Sequence, residues 1–173
     1  VLKETGNLLL MLGYVFIIPG IVSAFYREWY SVLGFLLSAF ITLAFGRALI
    51  YLNRNADEPL FNNALIIVAF GWFLATIMGG LPFYLIASIT PPDALDRFVP
   101  EGASYTSSLL YFRNPLHCFF ESMSAYTTTG LTMAVHEPSV GKGVLFYRSL
   151  AQWIGGAGFV ILALAVLNPG SDR

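Results

Sequence analysis

Polar residues fall in clusters along this chain, and long apolar blocks separate the clusters. The first block runs from Leu8 to about Phe25, and the second from about Tyr30 to Leu52. The third, Leu60 to about Thr90, carries no charge, and the last runs from about Val144 to Leu167. A helix needs about 20 mostly apolar residues, rising about 1.5 Å each, to cross the hydrocarbon of a bilayer. Each block is long enough, so the predicted class is an all-α integral membrane fold. Pro19 and Gly20 lie inside the first block and predict a tolerated kink. Arg27-Glu28-Trp29-Tyr30 predicts a tight turn with interfacial aromatics, which makes the first two blocks a helical hairpin. Arg47 can snorkel toward headgroups from near the hairpin's end. Asn53 to Pro59 is a polar connector, and Pro91-Pro92 stops the third block. That block exceeds a perpendicular span, which predicts tilt or extension beyond the membrane.

The stretch before the last span has a different pattern. Asp93 to Arg113, with Asp93, Asp96, Arg97 and Glu101, is polar and lies outside the bilayer. Asn114-Pro115 then reads as a helix start, Asn as cap and Pro in the first turn. The helix it opens, to about Tyr126, is too short to span, and it runs into Thr127-Thr128-Thr129-Gly130-Leu131. Polar residues return at His136-Glu137-Pro138 and Gly141-Lys142-Gly143. The predicted order is span, span, span, short re-entrant helix, extended loop, span. Residues 1–56 form an N-terminal hairpin and 57–173 a second unit. That unit holds a span at about 60–90, an outer segment at 91–113, a short helix at about 114–126, a loop at 127–132 and a span at about 144–167. Four spans put both chain ends on one side, and the re-entrant segment enters and leaves from the other. Lys3, Arg47, Arg54 and Arg173 fall on one side and Arg27, Arg97, Arg113, Lys142 and Arg148 on the other. That distribution does not decide orientation.

Composition narrows the function classes. The chain is 57% hydrophobic and 11% charged, against about 25% charged in soluble domains. A formal net charge of −1 provides no basic footprint for nucleic acid. One cysteine, Cys118, allows neither an internal disulfide nor an all-cysteine metal site. No Ser/His/Asp set, metal cluster or phosphate loop points to an enzyme or an organic cofactor. Lys3 and Glu4 precede an apolar stretch with no small-residue cleavage site, which excludes a secretory signal reading. The first and last residues do not look like natural ends, so the chain is expected to be part of something longer.

The short helix and its loop carry the chemistry. Irregular backbone at membrane depth is tolerated only where protein buries it or where it lines a water-filled path. Three threonines and a glycine offer successive carbonyls, and Gly130 permits backbone angles closed to other residues. Rings of such carbonyls replace the hydration shell of potassium. The partly negative C-terminal end of the preceding helix favours a cation there. Thr127-Thr128-Thr129-Gly130 is therefore a candidate carbonyl run for a potassium filter. A Thr-Thr-Thr-Gly string also occurs in ordinary turns; the capped sub-spanning helix between two spans is what favours the filter.

Other residues admit two readings each. His117 and Glu121 are four apart on one helical face, a spacing that can bind zinc, but only Cys118 stands near to help. Glu121 otherwise anchors the short helix by hydrogen bonds or adds negative charge near the ion path. Arg148 either snorkels at the membrane surface or pairs with an acid of the outer segment, holding the loop in place. Gly155, Gly156 and Gly158 with Ala157 form a small-residue surface for close packing, and Gly79-Gly80 with Pro82 predicts a bend.

Phe119-Phe120-Glu121-Ser122-Met123-Ser124-Ala125-Tyr126-Thr127-Thr128-Thr129-Gly130-Leu131-Thr132 resembles the first pore loop of the Trk/Ktr/HKT superfamily of potassium transporters. Leu145-Phe146-Tyr147-Arg148-Ser149-Leu150-Ala151-Gln152-Trp153-Ile154-Gly155-Gly156-Ala157-Gly158 resembles the start of that family's next helix. The layout is similar to the Trk-type membrane subunit, an N-terminal hairpin ahead of four span–pore–span repeats. The resemblance implies passive potassium transport through a multi-pass protein of the plasma membrane (the bacterial inner membrane), termini in the cytoplasm. By that resemblance Gly130 would be the filter glycine of the first repeat, favouring potassium over sodium, within a selectivity filter of Thr127, Thr128, Thr129, Gly130 and Leu131 that holds potassium at Thr128, Thr129 and Gly130. The implied partners are the remaining repeats, a second copy in a homodimer, a cytosolic nucleotide-binding regulatory subunit and the lipid bilayer. Only one repeat is present, and the gating loop of a later repeat is absent. A stand-alone pore subunit assembling as a homo-tetramer and a membrane scaffold without transport are the rival readings.

Overall fold

The computed structural model describes residues 1–55 and 64–167, and every regular element among them is helical, with no strand. Residues 56–63, which include most of the predicted connector and the start of the third block, lie outside the described residues, as do 168–173.

The first block is two helices, α1 (Leu2–Val15) and α2 (Ile17–Phe25), broken at Phe16. The predicted kink therefore falls three residues before Pro19. Proline has no N–H to give the carbonyl four residues back, so the ladder weakens there; the Gly20 amide reaches the Phe16 carbonyl at a long 3.4 Å. The helix starts at Leu2 rather than Leu8 because its first turns pack on a neighbour, burying Thr5 and Gly6. That neighbour is α3 (Trp29–Leu52). The turn between α2 and α3 places Arg27 at φ 59°, and the Glu28 amide donates to the Ser23 carbonyl at 2.9 Å. Where α1 crosses α3, a Cβ on Gly6 would lie 2.8 Å from the Gly46 carbonyl oxygen, so the backbones touch.

Helix α4 (Ala64–Ile89) runs through Pro82 without ending. It packs on α3 where Ile86 fills the space left by Gly34. Its C-terminal carbonyls are taken by Arg113, whose Nε and Nη2 donate to Ala87 at 3.1 Å and to Thr90 at 3.2 Å. A cation there also complements the helix dipole. The polar segment holds a one-turn helix, α5 (Pro92–Leu95), and 3₁₀ turns at Asp96–Phe98 and Ser108–Arg113. Next come α6 (Pro115–Tyr126), a 3₁₀ turn at Glu137–Val140, and α7 (Lys142–Leu167).

Among the described residues, four helical stretches have the length and composition to cross a membrane: Leu2–Phe25, Trp29–Leu52, Ile66–Ile89 and Lys142–Ile161. Their outward faces are apolar and aromatic, with Phe40, Trp153 and Phe159 exposed, as a surface facing lipid or apolar protein requires. The chain is a multi-pass membrane protein. Four hydroxyls inside the spans bond back to their own helix, Ser23 to Pro19, Ser38 to Gly34, Thr76 to Trp72 and Thr90 to Ile86, at 2.7–2.9 Å, while those of Ser31 and Thr42 on α3 are buried without a partner among the described residues.

The helices meet at Tyr147, which is fully buried. Its ring lies 5.2–5.6 Å from those of Phe16, Phe35 and Phe83. Its hydroxyl donates to the Gly79 carbonyl at 2.7 Å and stands 3.4 Å from the Tyr126 hydroxyl. One side chain of α7 thus ties together the α1–α2 break, α3, α4 and the end of α6.

Candidate functional site

Helix α6 has 12 residues, a length of about 18 Å, too short to cross a bilayer. The Asn114 side chain caps it, accepting from the Leu116 amide at 3.0 Å, with Pro115 in the first turn as predicted. Glycines let it sit deep against both flanking spans. A Cβ on Gly79 would meet the Tyr126 ring at 2.5 Å and the Ser122 hydroxyl at 2.6 Å; one on Gly155 would run into the Tyr126 carbonyl. The small residues of α7 therefore pack closely, as expected. Gly79-Gly80 is a place of close approach to α6.

Thr127, Thr128, Thr129, Gly130 and Leu131 follow the C-terminus of α6, and all five are exposed on one loop. Gly130 has φ 81°, the left-handed geometry its missing side chain permits. Thr128 has φ 58°, which sequence reasoning did not anticipate. A β-branched residue in that region is a real outlier, and such outliers persist only where their surroundings over-determine them. Here the amides of Thr129 and Gly130 both point back to the Ser124 carbonyl, at 3.0 and 3.4 Å. The Thr127 hydroxyl donates to the Met123 carbonyl at 2.7 Å and lies 2.8 Å from the Thr129 hydroxyl. The Ser124 hydroxyl donates to the Leu131 carbonyl at 2.6 Å. Among the described residues, the carbonyls of Thr127, Thr128 and Thr129 accept no hydrogen bond. The loop's amides are bound inward while three successive carbonyls stay open.

Glu121 and Arg148 come together behind this loop. Glu121 is fully buried on α6. Its carboxylate accepts from the Thr132 hydroxyl at 3.0 Å and the Met133 amide at 2.7 Å, and it forms an ion pair with the Arg148 guanidinium. Arg148 also reaches Glu137 at 3.1 Å and donates from Nη2 to the Gly130 carbonyl at 3.3 Å. Arg148 pairs with acids rather than snorkelling, but its partners are Glu121 of α6 and Glu137 beyond the loop, not an acid of the outer segment. Glu121 anchors the returning chain beyond the loop as well as its own helix. The zinc reading has no support here: His117 Nδ1 bonds to the Tyr111 carbonyl at 2.8 Å and the Cys118 thiol to the Phe112 carbonyl at 2.9 Å. No group of three His, Cys, Asp or Glu fit for a metal exists among the described residues.

Sequence reasoning missed Ser124, Thr132, Glu137 and Tyr147. None carries a local signature, because each acts on a partner distant in sequence or on a backbone atom. A cavity of about 440 Å³ between α1, α4 and α7 lies beneath Tyr126, but Leu8, Met11, Trp72 and Ile154 give it hydrocarbon walls. It offers no donor set for a cation.

The comparisons with known proteins agree with one another. A family profile described as "TrkH: Cation transport protein" matches residues 33–173. An uncharacterized cation transporter of Methanocaldococcus jannaschii is 30% identical over 170 residues, covering 96% of this chain. The Trk system potassium uptake protein TrkH of Escherichia coli K12 is 32% identical over 168 residues, 95% of this chain. The protein of the same name in Halomonas elongata is 31% identical over 173 residues, covering 96%. In each case the chain spans about 30% of the relative's length. The chain belongs to the TrkH family of cation transport proteins.

Proposed function

We propose that this chain provides the N-terminal hairpin and first pore repeat of a potassium uptake protein, with Thr127–Leu131 as one of four filter segments. The observation that carries the reading is the exposed loop at the C-terminal end of a capped, half-length helix, its Thr127, Thr128 and Thr129 carbonyls open. Open carbonyls in series can stand in for water around potassium, and the helix end behind them adds partial negative charge. Gly130 contributes its left-handed turn and one carbonyl lone pair, the other being held by Arg148. Glu121 and Arg148 are structural supports that fix the loop and cancel each other's charge beside the path. On this reading residues 57–173 form the repeat and the loop faces outside. Both termini then lie in the cytoplasm, and the protein sits in the plasma membrane. The other three filter quarters come from the remaining length of the protein, which the greater length of the relatives supports. A homodimer and a cytosolic nucleotide-binding regulatory subunit complete the assembly that the family resemblance implies.

The test is Gly130→Ser in the full-length protein, measured as growth on limiting potassium and as rubidium influx against competing sodium. The expected result is a loss of preference for potassium over sodium, with protein still present in the membrane. Unchanged preference at normal membrane abundance would sink the assignment of Gly130 to a filter.

A further inference from the structure

The hairpin turn between α2 and α3 is not a free interfacial loop. The Glu28 carboxylate reaches across 114 residues of sequence to the first turn of α7, accepting from the Lys142 amide at 2.6 Å and the Gly143 amide at 3.0 Å. Those amides belong to the group at a helix start that has no partner within the helix, and a carboxylate there also meets the positive end of the dipole. The surroundings are shaped to admit it. A Cβ on Gly143 would run into the Ser23 hydroxyl, and one on Gly141 would lie 3.1 Å from a Glu28 oxygen, with Gly141 itself at φ 93°. Arg27, at φ 59°, turns the chain so that Glu28 faces α7.

What this contact controls lies less than two turns further along α7. Arg148, six residues after Lys142, is the side chain that pairs with Glu121 and donates to the Gly130 carbonyl. An α-helix is stiff over so short a length, so the position of its first turn sets where the guanidinium stands. Tyr147, beside Arg148, packs on Phe16 and Phe35 of the same hairpin region, a second and independent hold on the same stretch.

We infer that Glu28 is a positioning residue for the loop: it fixes the start of α7 and, through Arg148, the carbonyl of Gly130. The N-terminal hairpin then acts as a brace for ion selectivity as well as a membrane anchor. This rests on the filter reading of Thr127–Leu131.

The experiment compares Glu28→Ala, Glu28→Gln and Glu28→Asp in the full-length protein, alone and combined with Arg148→Gln. The readouts are membrane abundance and the ratio of rubidium influx to sodium influx. Glu28→Ala is expected to lower that ratio several-fold at near-normal abundance. Glu28→Gln, which keeps one acceptor in place, is expected to fall between Ala and wild type, and Glu28→Asp to recover most of the ratio. In the Arg148→Gln background the Glu28→Ala change is expected to add nothing, because the link it works through is gone. Equal ratios for Ala and wild type, or effects that simply multiply in the double variant, overturn the inference. If Glu28→Ala does not accumulate, the Glu28→Gln and Glu28→Asp pair decides by the same ratio. Gly130→Ser separates the two failures: if it leaves the ratio unchanged, the filter reading itself is wrong; if it lowers the ratio while the Glu28 variants do not, only the brace is wrong.

Discussion

Where α1 crosses α3, two helices touch through side chains they lack; where the loop after α6 returns past α7, the chain is held by side chains that carry charge. At the crossing, Gly6 and Gly46 bring the backbones together, and Gly13 admits Leu43. Association there depends on shape, since lipid is as apolar as the helices and provides little driving force of its own. At the loop, Glu121 and Arg148 bind Thr132, the Met133 amide, Glu137 and the Gly130 carbonyl. Shape alone tolerates a change of chemistry that adds no volume. A buried charged network tolerates a change of volume at its edge but no change of charge.

The contrast can be broken from either side, and the charged side should break hardest. Glu121→Gln leaves the Arg148 cation without its buried partner, and losing one half of a buried pair costs about 3–5 kcal/mol. A large drop in the thermal midpoint of the purified full-length protein in detergent is expected. The same variant should bind and pass potassium poorly, because Arg148, left with only the exposed Glu137, adds positive charge beside the open carbonyls. A midpoint within a degree of wild type would show that the pair is not holding the loop. Gly46→Ala adds only a methyl group, yet overpacking of this kind costs about 1–3 kcal/mol. It should lower the midpoint without altering the ratio of rubidium to sodium influx; an altered ratio would mean that the crossing is not separate from the loop.

That separation was only partly visible in the sequence. The four spans, the Asn114–Pro115 helix start and the short length of α6 were legible because each is a local pattern of apolar runs, caps and breakers. The close packing at Gly155 was legible for the same reason, as small residues one or three apart on a helix have few other uses in a membrane. The break at Phe16 was half legible: Pro19 predicts a disturbance, but its place depends on which carbonyl loses its donor. Glu28, Tyr147 and Arg113 were not legible as supports. A glutamate in a turn looks the same whether it faces water or caps a helix 114 residues later. The partners of Arg148 were misplaced by sequence reasoning, which looked to an acid of the outer segment; the packing of α6 on α7 brings Glu121 to it instead, and the turn after the loop brings Glu137. Thr128 at positive φ could not be foreseen either, since propensity argues against it and only the Ser124 carbonyl, gathering two amides, enforces it.

Two smaller changes sharpen the comparison. Asn114→Ala removes the cap of α6, a loss of about 1 kcal/mol. It should appear as faster amide exchange in the first turn of α6 with little change near α1 and α3. Equal protection in both proteins would mean that Pro115 and packing suffice to start the helix. Thr128→Gly removes a left-handed β-branched residue, which costs about 1–2 kcal/mol, while glycine's extra freedom in the unfolded chain takes back about 0.5–1 kcal/mol. The net expectation is a slightly higher midpoint together with weaker discrimination between potassium and sodium. A lower midpoint would show that the threonine side chain supports the loop by more than its backbone strain costs.

The hydroxyls that bond back along their own helices bear on how the protein is made. Ser23, Ser38, Thr76 and Thr90 keep their partners when their helix is drawn apart from its neighbours. Each of those four hydroxyls can therefore enter lipid already satisfied, whereas the Ser31 and Thr42 hydroxyls of α3, buried without a partner among the described residues, cannot. Glu121 and Arg148 have no such independence, for each finds its counter-charge on the other's helix. The two charges are thus matched only when α6 and the beginning of α7 lie side by side, so that packing is what allows them to be buried.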